Sequence, residues 1–182
     1  MPTVKIGDID MYYEEQGQGE PVLLAPPSWW PSDTWTVGVV PFLSQRYRTI
    51  IFDCRGTGYS GKPDHGYTIS QFANDCAGLL EHLKISRAHT AGFALGGQIV
   101  QALAIERPDL VATLTIAAAG AGTKATSGAP REVRNTDEEE IRAHGFERFI
   151  RGHIENTHMA FDPKFYKERP EVVQALSDAL WQ

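Results

Sequence analysis

Cysteine is scarce: Cys54 and Cys76 are the two in 182 residues. They are too few for a disulfide framework and stand at no metal-binding spacing. No metal site and no cofactor is expected, and a reducing, cytoplasmic setting is the default. A basic stripe is also missing. Lys and Arg number 17 against 23 acidic residues, for a net charge of −6, which argues against a nucleic-acid partner. No apolar run approaches the roughly 20 residues that cross a bilayer, so no membrane association is expected. The start, Met1-Pro2-Thr3-Val4-Lys5, has neither the basic opening nor the apolar stretch of a secretory signal. Repeats and low-complexity tracts are absent too. What remains is the 42% hydrophobic and 22% charged composition of a globular protein, long enough for a real core.

The chain is organised around Ala88-His89-Thr90-Ala91-Gly92-Phe93-Ala94-Leu95-Gly96-Gly97. A short apolar run enters this stretch and an amphipathic helix leaves it. Strand, tight turn and helix in that order are the setting of a nucleophile elbow, G-x-S-x-G. Here the five residues are Gly92-Phe93-Ala94-Leu95-Gly96. An elbow doubles the chain back so tightly that side chains two places either side of its centre would clash, which explains Gly92 and Gly96. The centre itself is Ala94, serine without its oxygen. Positive φ there costs about 1 kcal/mol for alanine. A glycine-rich turn with no catalytic past is the plainer alternative.

Around this turn the chain alternates. Val4 to Glu14 forms a short hairpin, and Val22-Leu23-Leu24-Ala25 is an apolar run expected of a strand buried on both faces. Ser32 or Asp33 would cap a broken helix carrying Trp35, Val39, Val40, Phe42 and Leu43. Thr49 to Asp53 is the next strand. Ile69, Phe72, Ala73, Cys76, Leu79, Leu80 and Leu83 repeat at helical spacing, and Thr68 with Gln71 forms a capping box. The helix after the elbow carries Ile99, Val100, Leu103 and Ile105 and stops at Pro108; Leu110 to Ala117 is a further strand. Strands alternating with helices give a three-layer α/β/α fold with a mostly parallel sheet. Beyond Gly120 the pattern turns helical, with a capping box at Thr136 and Glu139 and an apolar stripe at Val172, Val173, Leu176 and Leu180. The division expected is a core over 1–120 and a helical cap over 121–182, the cap incomplete at Gln182.

Phe52-Asp53-Cys54-Arg55-Gly56-Thr57-Gly58-Tyr59-Ser60 is similar to the D-x-R-G-x-G-x-S loop of the α/β-hydrolase fold family. Together with the elbow it makes the chain resemble small esterase- or lactonase-like members with a helical cap, over the hairpin, the core to Ala118 and the start of the cap. The resemblance implies a nucleophile at position 94. It implies an oxyanion hole from the backbone N–H groups of Ser28 and Leu95, and a rim for an apolar or aromatic ester or lactone at Trp29, Trp30 and Phe93. Trp35 and the cap aromatics Phe146, Phe149 and Phe161 extend that rim, although packing between cap and sheet would use the same residues.

Three departures qualify the resemblance. Ala94 offers no attacking atom. Pro26-Pro27 stand where the family has His-Gly. The acid and histidine of the triad follow later strands in the family and have no counterpart up to Gln182. The six histidines supply no triad member. His89 lies in the elbow strand, His82 on the long helix and His65 in a loop. His144, His153 and His158 fall in the cap. Three readings stay open: a serine hydrolase whose nucleophile has been replaced, a natural relative that binds a small-molecule ligand without turning it over, and an interaction protein. In the last, an incomplete sheet invites self-association or a missing C-terminal segment to complete it.

Overall fold

The computed structural model describes residues 3–28 and 30–120, together with Ala143, Glu168 and Glu171. The expectations for the remainder of 121–182, and for Trp29, lie outside the described residues. The elements in order are β1 (Thr3–Ile6), β2 (Ile9–Gln16), β3 (Glu20–Ala25), α1 (Asp33–Gly38), α2 (Val40–Leu43), β4 (Tyr47–Phe52), α3 (Ile69–His82), β5 (Ala88–Phe93), α4 (Leu95–Glu106), a 3-10 turn (Pro108–Leu110) and β6 (Val111–Ala117).

They build one six-stranded sheet in the order β1-β2-β4-β3-β5-β6. The β1–β2 hairpin is antiparallel, and β2 runs antiparallel to β4. From β4 across β3 and β5 to β6 every pairing is parallel. Register follows from which face each side chain must bury. Leu23 and Ala25 of β3 join Ile50 and Phe52 of β4 on one face, under Ala73, Cys76 and Leu80 of α3 and Ile99, Val100 and Leu103 of α4. Val22, Leu24 and Ile51 point the other way and pack with Val40, Trp35 and Leu43 of the α1–α2 segment. Helices on both faces make three layers, and they explain why β3 is apolar at consecutive positions rather than alternate ones.

At α3 the Thr68 hydroxyl accepts the Gln71 N–H at 3.2 Å. Only this half of the expected capping box forms, because the Gln71 amide reaches forward to Asp75 instead, at 3.0 Å. At the other end Lys84 takes φ of 56° and the Ile85 N–H bonds the Leu80 carbonyl at 2.9 Å, the Schellman closure that usually uses glycine.

Two local expectations need correction. Neither Ser32 nor Asp33 caps α1: Ser32 sits at the N-cap but makes no side-chain cap bond. Its backbone N–H is committed elsewhere, and the first turn is tied instead by the Thr34 hydroxyl donating to the Pro31 carbonyl at 2.9 Å. Ile105 does not join the apolar stripe of α4. It lies two residues past Leu103, about 200° round the helix, and is 75% exposed. On β6, only Val111 is buried. Its one neighbour among the described residues is β5, and Leu114 and Ile116 stand exposed.

Candidate functional site

The turn between β5 and α4 is completed by one residue. Ala94 has φ 51° and ψ −115°, outside the regions that L-residues adopt without strain. Its N–H bonds the Ala117 carbonyl at 3.0 Å, and its own carbonyl accepts the Gly97 and Gln98 N–H groups at 3.1 and 3.3 Å. The bend is thus pinned to β6 on one side and to the first turn of α4 on the other. A Cβ at position 92 would fall 2.1 Å from the Gly96 carbonyl oxygen, and one at position 96 would fall 2.1 Å from the oxygen of Ala25. The two glycines therefore let α4 begin directly against the C-terminal end of β3. As the first residues of α4, Leu95 and Gly96 carry N–H groups with no carbonyl to meet inside the helix, at its positive end.

Opposite this helix start lies the loop that leaves β3. Pro26 is buried, and Ser28 and Trp30 are half-buried. The Trp30 N–H approaches the Pro27 carbonyl at 3.4 Å. At its far end the loop is held by a fully buried carboxylate. Asp53 accepts the Ser32 N–H on Oδ1 at 2.7 Å and the Tyr59 N–H on Oδ2 at 2.8 Å. Gly58 makes room for this: any Cβ there would fall 2.0 Å from Oδ2. Ser60 closes the same loop by donating to the Asp53 carbonyl at 2.7 Å while its oxygen accepts the Tyr12 N–H at 2.9 Å.

Arg55 anchors the loop to the rest of the core. Its buried guanidinium meets Asp75 of α3 through Nε and Nη2, both at 2.7 Å, and meets Asp8 of the β1–β2 turn at 3.0 Å. The hydrogen bond to Asp75, and then the one to Asp8, hold its pKa above the usual arginine value despite burial. Reciprocally, the Arg55 hydrogen bond lowers the pKa of Asp8. Cys54 and Cys76 are free and buried, and burial pushes both thiols up.

Other nominated residues are dispersed. Phe93 ends β5 and is 44% exposed. Leu95 opens α4 beside Ala94, and Ser28 and Trp30 lie on the facing loop, whereas Trp29 lies outside the described residues. His89 is at the opposite end of β5 from Ala94, bound to Thr113 Oγ1 at 2.8 Å and Glu20 Oε2 at 3.1 Å. His82 is exposed on α3 with its ring against Tyr13. His65 lies 3.6 Å from Asp8. His144, His153, His158, Phe146, Phe149 and Phe161 lie outside the described residues. Among the described residues no three His, Cys, Asp or Glu side chains are grouped to hold a metal ion, and no helix is long and apolar enough to cross a membrane.

Asp53 and Arg55 stand in a motif whose local sequence assigns neither of them a partner. Their partners Ser32, Asp75 and Asp8 lie 21, 20 and 47 residues away, and no periodicity or local spacing points to them. The one available signal was an aspartate directly after an apolar strand.

The family model described as the alpha/beta hydrolase fold matches residues 27–166. The chain belongs to this family. Among curated proteins, this hydrolase-family chain is 37% identical over 116 residues to the "Putative carbamate hydrolase RutD" of Azorhizobium caulinodans, covering 64% of this chain and 43% of that protein. It thus spans less than half the length of that relative. Among solved structures, it superposes on Est816, described as an N-acyl homoserine lactone degrading enzyme, with a TM-score of 0.76 and 28% identity, over 100% of this chain and 66% of that one. The enol-lactonase from Burkholderia xenovorans LB400 gives a TM-score of 0.78 at 25% identity, over 98% of this chain and 67% of that one.

Proposed function

We propose that position 94 is the nucleophile position of an acyl-transfer site, held here by a residue that cannot attack. On this reading the chain binds a small apolar or aromatic ester or lactone and does not hydrolyse it. The observation that carries the proposal is the strained backbone of Ala94, φ 51° and ψ −115°, between two glycines whose close contacts leave no room for a Cβ. A turn chosen only for its shape would favour glycine at its centre. Alanine in that conformation fits a position whose history required a side chain. The named activities of the relatives, on a carbamate, an acyl homoserine lactone and an enol-lactone, all concern an acyl carbon and support the same substrate class.

With serine at position 94, its oxygen would add to the ester carbonyl. The Ser28 and Leu95 N–H groups would take up the negative charge that forms on the carbonyl oxygen. A histidine would carry the serine proton to the leaving group, and an acid would orient that histidine. No described histidine is placed for this role, since His89 stands at the wrong end of β5. Phe93 and Trp30 would supply the apolar rim. Pro26-Pro27, where the family has His-Gly, favours a second reading in which the loss of catalysis is natural and the chain is a ligand-binding relative.

Titration of the native chain with p-nitrophenyl butyrate and N-butyryl homoserine lactone, followed by tryptophan fluorescence and by product release, tests the proposal. Binding without turnover is expected. Turnover of either compound, or failure to bind both, overturns it.

A further inference from the structure

We infer that Asp53 is a positioning residue for the oxyanion donor on the β3–α1 loop, acting through the backbone of Ser32; this rests on the ligand reading above. Two halves of the candidate hole are supported in different ways. The Leu95 N–H belongs to α4, which is pinned by the bend at Ala94 and by the contact of Gly96 with Ala25. The Ser28 N–H belongs to a loop with no regular structure between Ala25 and Asp33. That loop leaves β3 through two prolines, and its next strong tether is the bond from the Ser32 N–H to Asp53 Oδ1 at 2.7 Å.

Asp53 is built to hold that tether rigidly. It is fully buried, and it extends the β4 strand. Its second oxygen is engaged by the Tyr59 N–H at 2.8 Å, its carbonyl by the Ser60 hydroxyl at 2.7 Å, and its N–H by the Tyr12 carbonyl at 3.1 Å. With both carboxylate oxygens and both backbone groups taken, the side chain has one orientation. A buried carboxylate bonded by two backbone N–H groups gives shorter, stronger bonds than a neutral acceptor. Asparagine would present one oxygen and one NH₂, so one backbone N–H would face a donor. Gly58 guards the same geometry from the other side, since a Cβ there would strike Oδ2. The Arg55–Asp75 pair stiffens the same β4–α3 loop but makes no bond to Ser32. That difference separates positioning from general rigidity.

The experiment uses the native chain and compares two probes that carry the same phenyl and methyl groups. Phenyl methylphosphonate carries anionic oxygens on a tetrahedral centre, and phenyl acetate is its neutral counterpart. Affinities are measured by calorimetry, and exchange of the Ser28 and Ser32 amides by NMR. The native chain is expected to prefer the phosphonate. Asp53→Asn is expected to cut that preference about tenfold, the scale of one charge-assisted hydrogen bond, and to speed exchange of both amides. Asp75→Asn is expected to lower the melting temperature while leaving preference and exchange unchanged. If Asp75→Asn has the same effect on preference as Asp53→Asn, or if Asp53→Asn has none, the positioning role is overturned and the ligand reading stands. A native chain with no preference for the phosphonate overturns the ligand reading, and this inference with it. Should Asp53→Asn fail to fold, native-state exchange decides: a Ser32 amide as protected as the Ile51 amide of β4 supports the role, and one exchanging like an open loop overturns it.

Discussion

Ala94→Gly should stabilise the protein although it removes a methyl group. Ala94 holds φ 51° and ψ −115°, and a non-glycine residue in such a region stores about 1–3 kcal/mol. Glycine removes that strain. Against this, glycine gives the unfolded chain more freedom, a loss of about 0.5–1 kcal/mol. The half-buried methyl contributes at most about 0.8 kcal/mol. At the middle of these ranges the balance favours the variant by about 0.5 kcal/mol, which raises the melting temperature by about 1–2 °C in a chain of this size. Thermal melting by circular dichroism and urea unfolding both read it. Ala94→Ser keeps the strain and should change stability little, whereas Ala94→Val, β-branched, should lose about 2 kcal/mol or more. The refuting result is a loss of about 1 kcal/mol in Ala94→Gly, which is what the substitution costs in relaxed helical backbone. The bend would then be an ordinary helix start, and the nucleophile-position reading would lose its support.

Gly96→Ala should lose more than about 3 kcal/mol, because its Cβ meets backbone that cannot turn aside, 2.1 Å from the Ala25 oxygen; an unchanged urea midpoint would rule out that close approach. Asp33 has a pKa raised by burial and then by Glu14 and Asp53, above its ordinary 3.8. The native state therefore holds this proton more tightly than the unfolded chain, so stability falls as pH rises from 3.8 through the raised native value. Asp33→Asn should remove that fall and raise stability at neutral pH, as read by urea unfolding between pH 4 and 7; a loss at neutral pH would contradict it. Cys54 and Cys76 are buried, with thiols held in the protonated form, so iodoacetamide should label them at the rate of unfolding. Labelling that is fast in the folded protein would show the β4 loop open to solvent.

What the sequence revealed depended on range. The layered, mostly parallel architecture was visible because β3 and β4 are apolar at consecutive positions and α3 repeats at threes and fours. The bend at Ala94 was visible because its glycines answer to atoms four or five residues away in the chain or to the strand they face. Thr68 was legible as a cap for the same local reason. Ser32 was misread: serine before a helix suggests a cap, yet Asp53 claims its backbone and its hydroxyl makes no cap bond. The strand order was hidden, since placing β3 between β4 and β5 is decided by crossovers and not by any residue of β3. The partners of Asp53 and Arg55 were hidden likewise, because a carboxylate and a guanidinium look alike on paper whether they face solvent or each other.

Arg55 keeps its charge at any ordinary pH, and it ties its own loop after β4 to two other parts of the chain: the hairpin turn at Asp8 and Asp75 in the middle of α3. If α3 swings away, the buried guanidinium loses its two-point partner Asp75 and is left with too few acceptors, whereas the more exposed Asp8 adds a weaker tether to the hairpin turn. Small breathing motions of the loop against α3 are therefore suppressed, and these two should open as a single cooperative unit. The hairpin at the margin of the sheet is in this way tethered, through one side chain, to the helix beneath it.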